Sequence, residues 1–266
     1  MSTASPNSLP TVLTIAASDS GAQAGIQADL KTFTALGVFG TCAVTAVTAQ
    51  NPDAVVAVEP VSPQVVEQQI IQVHDYFAFS VIKTGLLPNA ETIKILASFL
   101  DRHPSIRAVV DPVMIASSGR AFLDAQTVAV LKQDLLPRAD LITPNLDEVE
   151  VLLGYLPDDQ TSMTGAAEAL AESYNCAVLV KGGHLPGDDL VDVLYDTQGV
   201  CSVFSAKRIK SVNSHGSGCT LASAIAAGLA KGLTLQEAVT QGHDYLQGAL
   251  RCPVHLGSQS FIQHAR

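Results

Sequence analysis

Apolar and polar positions follow two rhythms along this chain: short solid apolar runs, and longer stretches with a helical repeat. The first run, Val12-Leu13-Thr14-Ile15-Ala16-Ala17, is rich in β-branched residues and predicts a buried strand. A polar loop from Ser18 to Gly25 follows, then a helix from Ile26 to Leu36. Cys42 to Ala49 reads as a second strand, closed by Gln50-Asn51-Pro52. Pro63 to Tyr76 predicts a helix with proline in its first turn. Ser80 to Gly85 predicts a strand, and Asn89 to Leu100 a helix capped by its asparagine. Ala108 to Val113 is strand-like and carries Asp111 at its carboxyl end. A helix from Asp124 to Leu135 leads to the strand Asp140 to Pro144, and Asn145 starts a helix that runs to Leu153. Thr164 to Tyr174 is helical, and Cys176 to Gly183 is a strand ending in two glycines. Leu190 to Tyr195 and Val200 to Phe204 predict an antiparallel pair. Two helices, Ser217 to Lys231 and Thr234 to Leu250, close the pattern.

Strands alternating with helices predict an α/β fold: one open, mostly parallel sheet with helices on both faces. The domain is expected to span residues 11–266. Residues 1–10, polar with two prolines, are expected to form a disordered leader, lacking the basic start and apolar centre of a signal peptide. In such sheets the ligand lies beyond the carboxyl ends of the strands. Gln50, Gly85, Asp111, Asn145, Lys181 and the Gly216-Ser217-Gly218 turn all fall at such ends.

Composition narrows the picture. Hydrophobic residues make up 47% of the chain and charged residues 15%, which excludes a disordered protein. Tryptophan is absent, so aliphatic side chains do the packing. The formal net charge of −10 argues against a nucleic-acid partner, and an anionic substrate must be captured by a local site. Five scattered cysteines form no Cys-x-x-Cys pair, and the expectation is free thiols in a reducing cytoplasm. No apolar stretch has the length and flanks of a membrane span.

The chemistry concentrates in Asn213-Ser214-His215-Gly216-Ser217-Gly218-Cys219-Thr220, which runs into the alanine-rich helix. A glycine turn at a helix start presents unpaired N–H groups at the positive end of the dipole, a ready anion site. Cys219 at that start is expected to have a lowered pKa. Neither a Gly-x-x-x-x-Gly-Lys-Ser/Thr loop nor a Gly-x-Gly-x-x-Gly after the first strand is present, which argues against P-loop enzymes and dinucleotide dehydrogenases. Asp111 with the Asn145…Glu148 pair sits where carboxylates hold magnesium, and Lys181 can meet phosphate charge. Plainer readings stand beside these: Asn145 and Glu148 have capping-box spacing, Asp111 precedes a proline, Lys181 ends a strand, and Cys219 is a small apolar side chain. Taken together the parts suit phosphoryl transfer, which needs positioning, charge neutralisation and a base near the attacking hydroxyl.

The sequence resembles the hydroxymethylpyrimidine/phosphomethylpyrimidine kinases of thiamine biosynthesis, within the ribokinase superfamily. The stretches that carry the resemblance include Ala24-Gly25-Ile26-Gln27-Ala28-Asp29, Thr45-Ala46-Val47-Thr48-Ala49-Gln50-Asn51, Lys83-Thr84-Gly85, Asp111-Pro112-Val113-Met114, Thr143-Pro144-Asn145, Lys181-Gly182-Gly183-His184 and His215-Gly216-Ser217-Gly218-Cys219-Thr220. They occur in family order and cover nearly the whole chain. The resemblance implies a cytoplasmic, magnesium- and ATP-dependent kinase, a homodimer, that phosphorylates 4-amino-5-hydroxymethyl-2-methylpyrimidine and its monophosphate. It implies substrate contacts at Ala17, Asp29, Gln50, Gly85 and Val113, and ATP contacts at Asn145, Lys181 and Asn213. Metal ligation falls to Asp111 and Glu148, and catalysis to the anion hole Gly216, Ser217 and Gly218 with Cys219 as base. Four places depart from the family pattern: Ala17 replaces a usual glycine, Ala22-Gln23 interrupts a glycine run, Leu86 replaces a frequent methionine, and Val254 to Arg266 has an unusual tail. Pyridoxal kinases share the Gly-x-Gly-Cys loop and are the alternative, as is a binding protein that keeps the fold without catalysis.

Overall fold

The computed structural model describes residues 9–115, 121–183 and 185–265. Most of the expected leader (residues 1–8) and His184 lie outside the described residues. In chain order the first half comprises β1 (Thr11–Asp19), α1 (Gly25–Ala35), β2 (Phe39–Asn51), β3 (Ala54–Pro60), α2 (Pro63–Phe77), β4 (Val81–Thr84), α3 (Ala90–Arg102) and β5 (Arg107–Val110). The second half comprises α4 (Ala125–Val130), β6 (Leu141–Ile142), α5 (Leu146–Leu153), α6 (Gln160–Tyr174), β7 (Ala177–Lys181), β8 (Asp189–Tyr195) and β9 (Cys201–Lys207). It ends with α7 (Ser217–Ala230), α8 (Leu235–Arg251), β10 (Val254–Leu256) and β11 (Gln259–Phe261).

Nine strands form one sheet in the order β3-β2-β1-β4-β5-β6-β7-β8-β9. The six strands from β2 to β7 run parallel, and β3, β8 and β9 add antiparallel edges. The expected mostly parallel α/β fold is thus the one observed. Alternate residues of the central strands bury on opposite faces, as a period of two requires. Leu13, Ile15, Ile82, Val110 and Val178 join the core under α2, α3, α5 and α6. Val12, Val81, Val109, Ala177 and Leu179 join the core under α1, α7 and α8. No helix among the described residues is long and apolar enough to cross a membrane.

Three features depart from the periodicity. The helix expected to run from Asp124 to Leu135 is α-helical only to Val130, then turns through a π segment (Leu131–Leu135) and a 3-10 turn (Leu136–Arg138). Pro137 has no N–H to donate, so the ladder cannot continue through it. The edge strand β3 follows an Asx turn in which the Asn51 side-chain oxygen accepts from the N–H groups of Asp53 and Ala54. Most of its side chains are half-buried or exposed, so it carries no buried apolar stripe for a pattern to reveal. The β10–β11 hairpin is likewise short and largely exposed.

Strand order reverses at β1, which has β2 on one side and β4 on the other. A switch point of this kind leaves a crevice beyond the carboxyl ends of the strands.

Candidate active site

The crevice is filled from one side by the start of α7. Gly216 caps that helix with φ +85°, and a Cβ there would lie 1.8 Å from the Gln23 carbonyl oxygen. Only glycine satisfies both the left-handed backbone and that close approach. The Ser217 N–H donates to the Ser214 carbonyl and the Thr220 N–H to the Gly216 carbonyl. The N–H groups of Gly218 and Cys219 between them donate to no backbone acceptor among the described residues. They are two of the orphan donors of the helix start, and they face the positive end of a 14-residue dipole. A Cβ on Gly218 would come within 3.2 Å of Lys181 Nζ, so its absence keeps the space between loop and ammonium open.

Opposite the loop, Lys181 at the end of β7 pairs with Asp111 just beyond β5 (Nζ–Oδ1 2.8 Å), and the Thr143 hydroxyl donates to the same oxygen at 2.9 Å. Burial alone would raise the Asp111 carboxyl, but Lys181 and Lys83 outweigh it and hold it below the usual carboxylate range. Asn145 caps α5, and Glu148 returns its carboxylate to the Asn145 N–H at 2.8 Å. The capping box and the cleft position coexist, because Glu148 is 2% exposed and couples to Asp111 and Lys181. Burial first, and Asp111 next, push its carboxyl up to about 8.

Beneath the loop lies a second buried ion pair, Asp29 with Lys83. Asp29 was expected to touch substrate; instead it is fully buried, with Lys83 Nζ at 2.9 and 3.0 Å from its two oxygens. Thr14 and Ser223 hydroxyls donate to the same carboxylate at 2.6 Å each. All four groups sit under the cleft floor, so Asp29 supports the site from below and presents no free oxygen to a ligand. Cys219 also departs from expectation. Its thiol is pushed up to about 11, burial being the largest cause and Asp29 and Asp111 adding to it. Lys83 and the Gly25 N–H act in the opposite direction without prevailing. Position at a helix start lowers a thiol pKa only where desolvation does not exceed it.

The remaining expected residues do come together. Ala17, Gln50, Gly85 and Val113 line one end of a cleft of about 770 Å³; Asn145, Lys181, Asn213 and Gly216 to Cys219 line its middle. The Gln50 backbone is tied to Ser20, which accepts from its N–H and donates to its carbonyl at 2.8 Å each. Its half-buried side-chain amide lines the cleft with no hydrogen-bond partner among the described residues. Leu86, one of the departures, is 6% exposed and faces the same end. Beyond the loop the cleft continues between apolar walls that include Leu190, Phe204, Val212 and Leu250.

Asp19 is the residue most plainly missed. It ends β1, accepts from the N–H groups of Gly21, Gln23 and Ala24 at 2.7 to 3.0 Å, and lies 3.6 Å from His215. Burial would raise it, but His215 and these donors hold it down to about 2. Its carboxylate therefore shapes the loop that abuts Gly216. An acid closing an apolar strand run was the signal available.

Among the described residues no cluster of three or more histidine, cysteine, aspartate or glutamate side chains is arranged to hold a metal. Asp111 and Glu148 nonetheless fit a hard divalent cation. The Asp111 charge helps to push the Glu148 carboxyl up, a repulsion that a cation between them relieves, and magnesium commonly takes only one or two protein carboxylates beside phosphate oxygens and water.

A family model described as phosphomethylpyrimidine kinase matches residues 19–264. The hydroxymethylpyrimidine/phosphomethylpyrimidine kinase of Rhizobium meliloti is 48% identical over 239 residues, covering 90% of this chain and 89% of that protein. The crystal structure of a phosphomethylpyrimidine kinase from Clostridium difficile superposes with a TM-score of 0.80 at 37% identity, covering 90% of this chain and 99% of its own. The structure of an ADP complex of Bacillus subtilis pyridoxal kinase superposes at 0.88 with 32% identity, covering 97% and 98%.

Proposed function

The chain belongs to the phosphomethylpyrimidine kinase family, and from that premise we propose that it moves the γ-phosphoryl group of ATP onto 4-amino-5-hydroxymethyl-2-methylpyrimidine and then onto the monophosphate so formed, supplying the pyrimidine half of thiamine. One observation carries the reading: a single cleft joins an unpartnered amide, Gln50, at one end to the N–H cradle of Gly218 and Cys219 facing Lys181 at its centre. The separation of functions is that of a two-substrate site, with ring recognition and phosphate neutralisation side by side.

In this reading the pyrimidine lies against Ala17, Gly85 and Val113 with its edge on Gln50. The triphosphate crosses the start of α7, where the free N–H groups and Lys181 meet charge that develops on the transferred phosphoryl oxygens. Asn145 and Asn213 flank it, and the base of ATP occupies the apolar end. Magnesium, when bound, draws charge from the β- and γ-phosphate oxygens; Asp111 and Glu148 are the residues that would hold it. The substrate hydroxyl oxygen bonds to the γ-phosphorus as the β–γ bridging bond breaks, ADP leaves, and the hydroxyl proton passes to the thiolate form of Cys219, the minor form at neutrality for a thiol pushed up to about 11. We place this activity in the cytoplasm and in a homodimer, both from the family resemblance.

Purified protein incubated with Mg-ATP should convert the hydroxymethylpyrimidine to its monophosphate and diphosphate, followed by mass spectrometry. Pyridoxal belongs in the same assay, since the B. subtilis pyridoxal kinase superposes at a TM-score of 0.88 against 0.80 for the C. difficile pyrimidine kinase. Turnover of pyridoxal with neither pyrimidine converted overturns the pyrimidine reading in favour of that second one.

A further inference from the structure

The unusual tail finds a place in the structure. The β10–β11 hairpin returns the chain to the active-site loop, where the Asn213 N–H donates to the Ser260 carbonyl at 2.8 Å. Ile262, 2% exposed, packs with Val212, Ala249 and Leu250 in a small separate core. The Gln263 N–H donates to the Ala249 carbonyl, and the Tyr245 hydroxyl to the His264 carbonyl. These contacts deliver the His264 ring, 4% exposed, to the first turn of α7, with Nε2 at 3.0 Å from Thr220 Oγ1.

The direction of that hydrogen bond follows from counting protons. Thr220 has one hydroxyl proton, and it goes to the Gly216 carbonyl at 2.8 Å. The imidazole must then donate through Nε2. Burial first, and Lys31 next, push His264 down to about 4, so near neutrality the ring carries a single proton, placed on Nε2. The relay His264 Nε2–H to Thr220 O–H to Gly216 C=O ends on the residue whose peptide plane starts the anion loop. Gly216 is pressed against Gln23 on its other side, and its carbonyl lies in the peptide plane it shares with the Ser217 N–H, from which the chain turns to present the Gly218 and Cys219 N–H groups.

We propose that His264 is a positioning residue for phosphoryl transfer, fixing through Thr220 the carbonyl of Gly216 and thereby the aim of the Gly218 and Cys219 N–H groups. This rests on the reading of Gly216 to Cys219 as the phosphate cradle. His264 touches no reacting atom. Its effect reaches the transferred phosphoryl group, whose neutralisation depends on donor direction, and leaves the pyrimidine end untouched.

The test uses full-length protein and two readouts. His264→Leu fills the space without a donor, and His264→Gln returns an N–H close to the Nε2 position. His264→Leu should lower kcat about tenfold, the rate equivalent of one buried hydrogen bond, with KM for the pyrimidine unchanged. His264→Gln should recover most of that loss. Independently of activity, orthophosphate should shift the Gly218 and Cys219 amide signals in parent protein, and His264→Leu should need a several-fold higher phosphate concentration. Amides in the parent that ignore phosphate overturn the cradle and this inference with it. Parent amides that respond, matched by an identical response and kcat in His264→Leu, overturn the positioning role alone, even where that variant melts earlier. Where His264→Leu does not fold, Thr220→Val removes the same relay from its other end, and an unchanged kcat and phosphate response there overturns the proposal.

Discussion

Lys83 and Asp29 form an ion pair with neither side chain exposed, the ammonium lying 2.9 and 3.0 Å from the two carboxylate oxygens. Such a pair is held by its own hydrogen bonds, here completed by Thr14 and Ser223. Removing one member strands the other charge in an apolar interior. Asp29→Ala should therefore cost about 3–5 kcal/mol of stability, read by urea unfolding. A substrate contact would give a different result, a raised KM for the pyrimidine in a protein of parental stability.

On the proposed reading the Gln50 amide meets the pyrimidine edge in the cleft. Gln50→Met keeps the bulk and removes both hydrogen-bonding functions, so pyrimidine binding should weaken by about 1–3 kcal/mol while ATP affinity holds. Equal pyrimidine affinity in parent and variant would remove Gln50 from recognition.

Cys219 makes a prediction about rate and pH together. With its thiol near 11, the thiolate is scarce at neutrality and grows tenfold for each pH unit up to that value. If the thiolate accepts the hydroxyl proton, kcat/KM should climb through pH 7 to 9, and Cys219→Ala should lose about 10²–10⁴-fold. A flat profile with near-parental turnover in Cys219→Ala and Cys219→Ser would leave the N–H cradle and Lys181 to act without a base.

How much of this was legible in the sequence varied with the physics behind each feature. The buried strands and helices, the caps at Asn89 and Asn145, and the glycine turn before α7 follow from local pattern. The cleft residues at strand ends could be gathered because a doubly wound sheet brings those ends together. What local pattern cannot supply is competition between environments. Asp29 and Lys83 stand 54 positions apart, and nothing in either segment says that they neutralise each other. The Cys219 pKa depends on how much burial the whole fold imposes on a helix start. His264 reaches Thr220 only through a hairpin whose exposed side chains leave little periodicity.

Ala22 adopts φ +56° in the loop after β1, where the family pattern favours glycine. An alanine Cβ in that region costs roughly 1–2 kcal/mol, and glycine would return part of that gain as unfolded-state entropy. Ala22→Gly should raise stability by about 0.5–1 kcal/mol, measured by thermal or chemical unfolding. A neutral or destabilising outcome would mean that the Ala22 side chain contributes packing that outweighs its backbone cost.

Glu148 links stability, pH and magnesium. Its folded carboxyl titrates near 8 against an ordinary value of 4.5, so the folded chain keeps a proton that the unfolded chain has lost. A folded pKa above the unfolded one stabilises at low pH, and that contribution disappears as pH rises from about 4.5 through 8. In chelator-treated protein, parent stability should decline across that window more steeply than that of Glu148→Gln, which keeps the cap geometry and has no proton to lose. Magnesium, as a cation between Asp111 and Glu148, favours the ionised form. Adding it should restore part of the parent's stability at pH 8 and do less for the variant. The same variant should need more magnesium for half-maximal rate. Identical pH slopes in parent and Glu148→Gln, together with superimposable magnesium curves, would reduce Glu148 to its capping role at the start of α5.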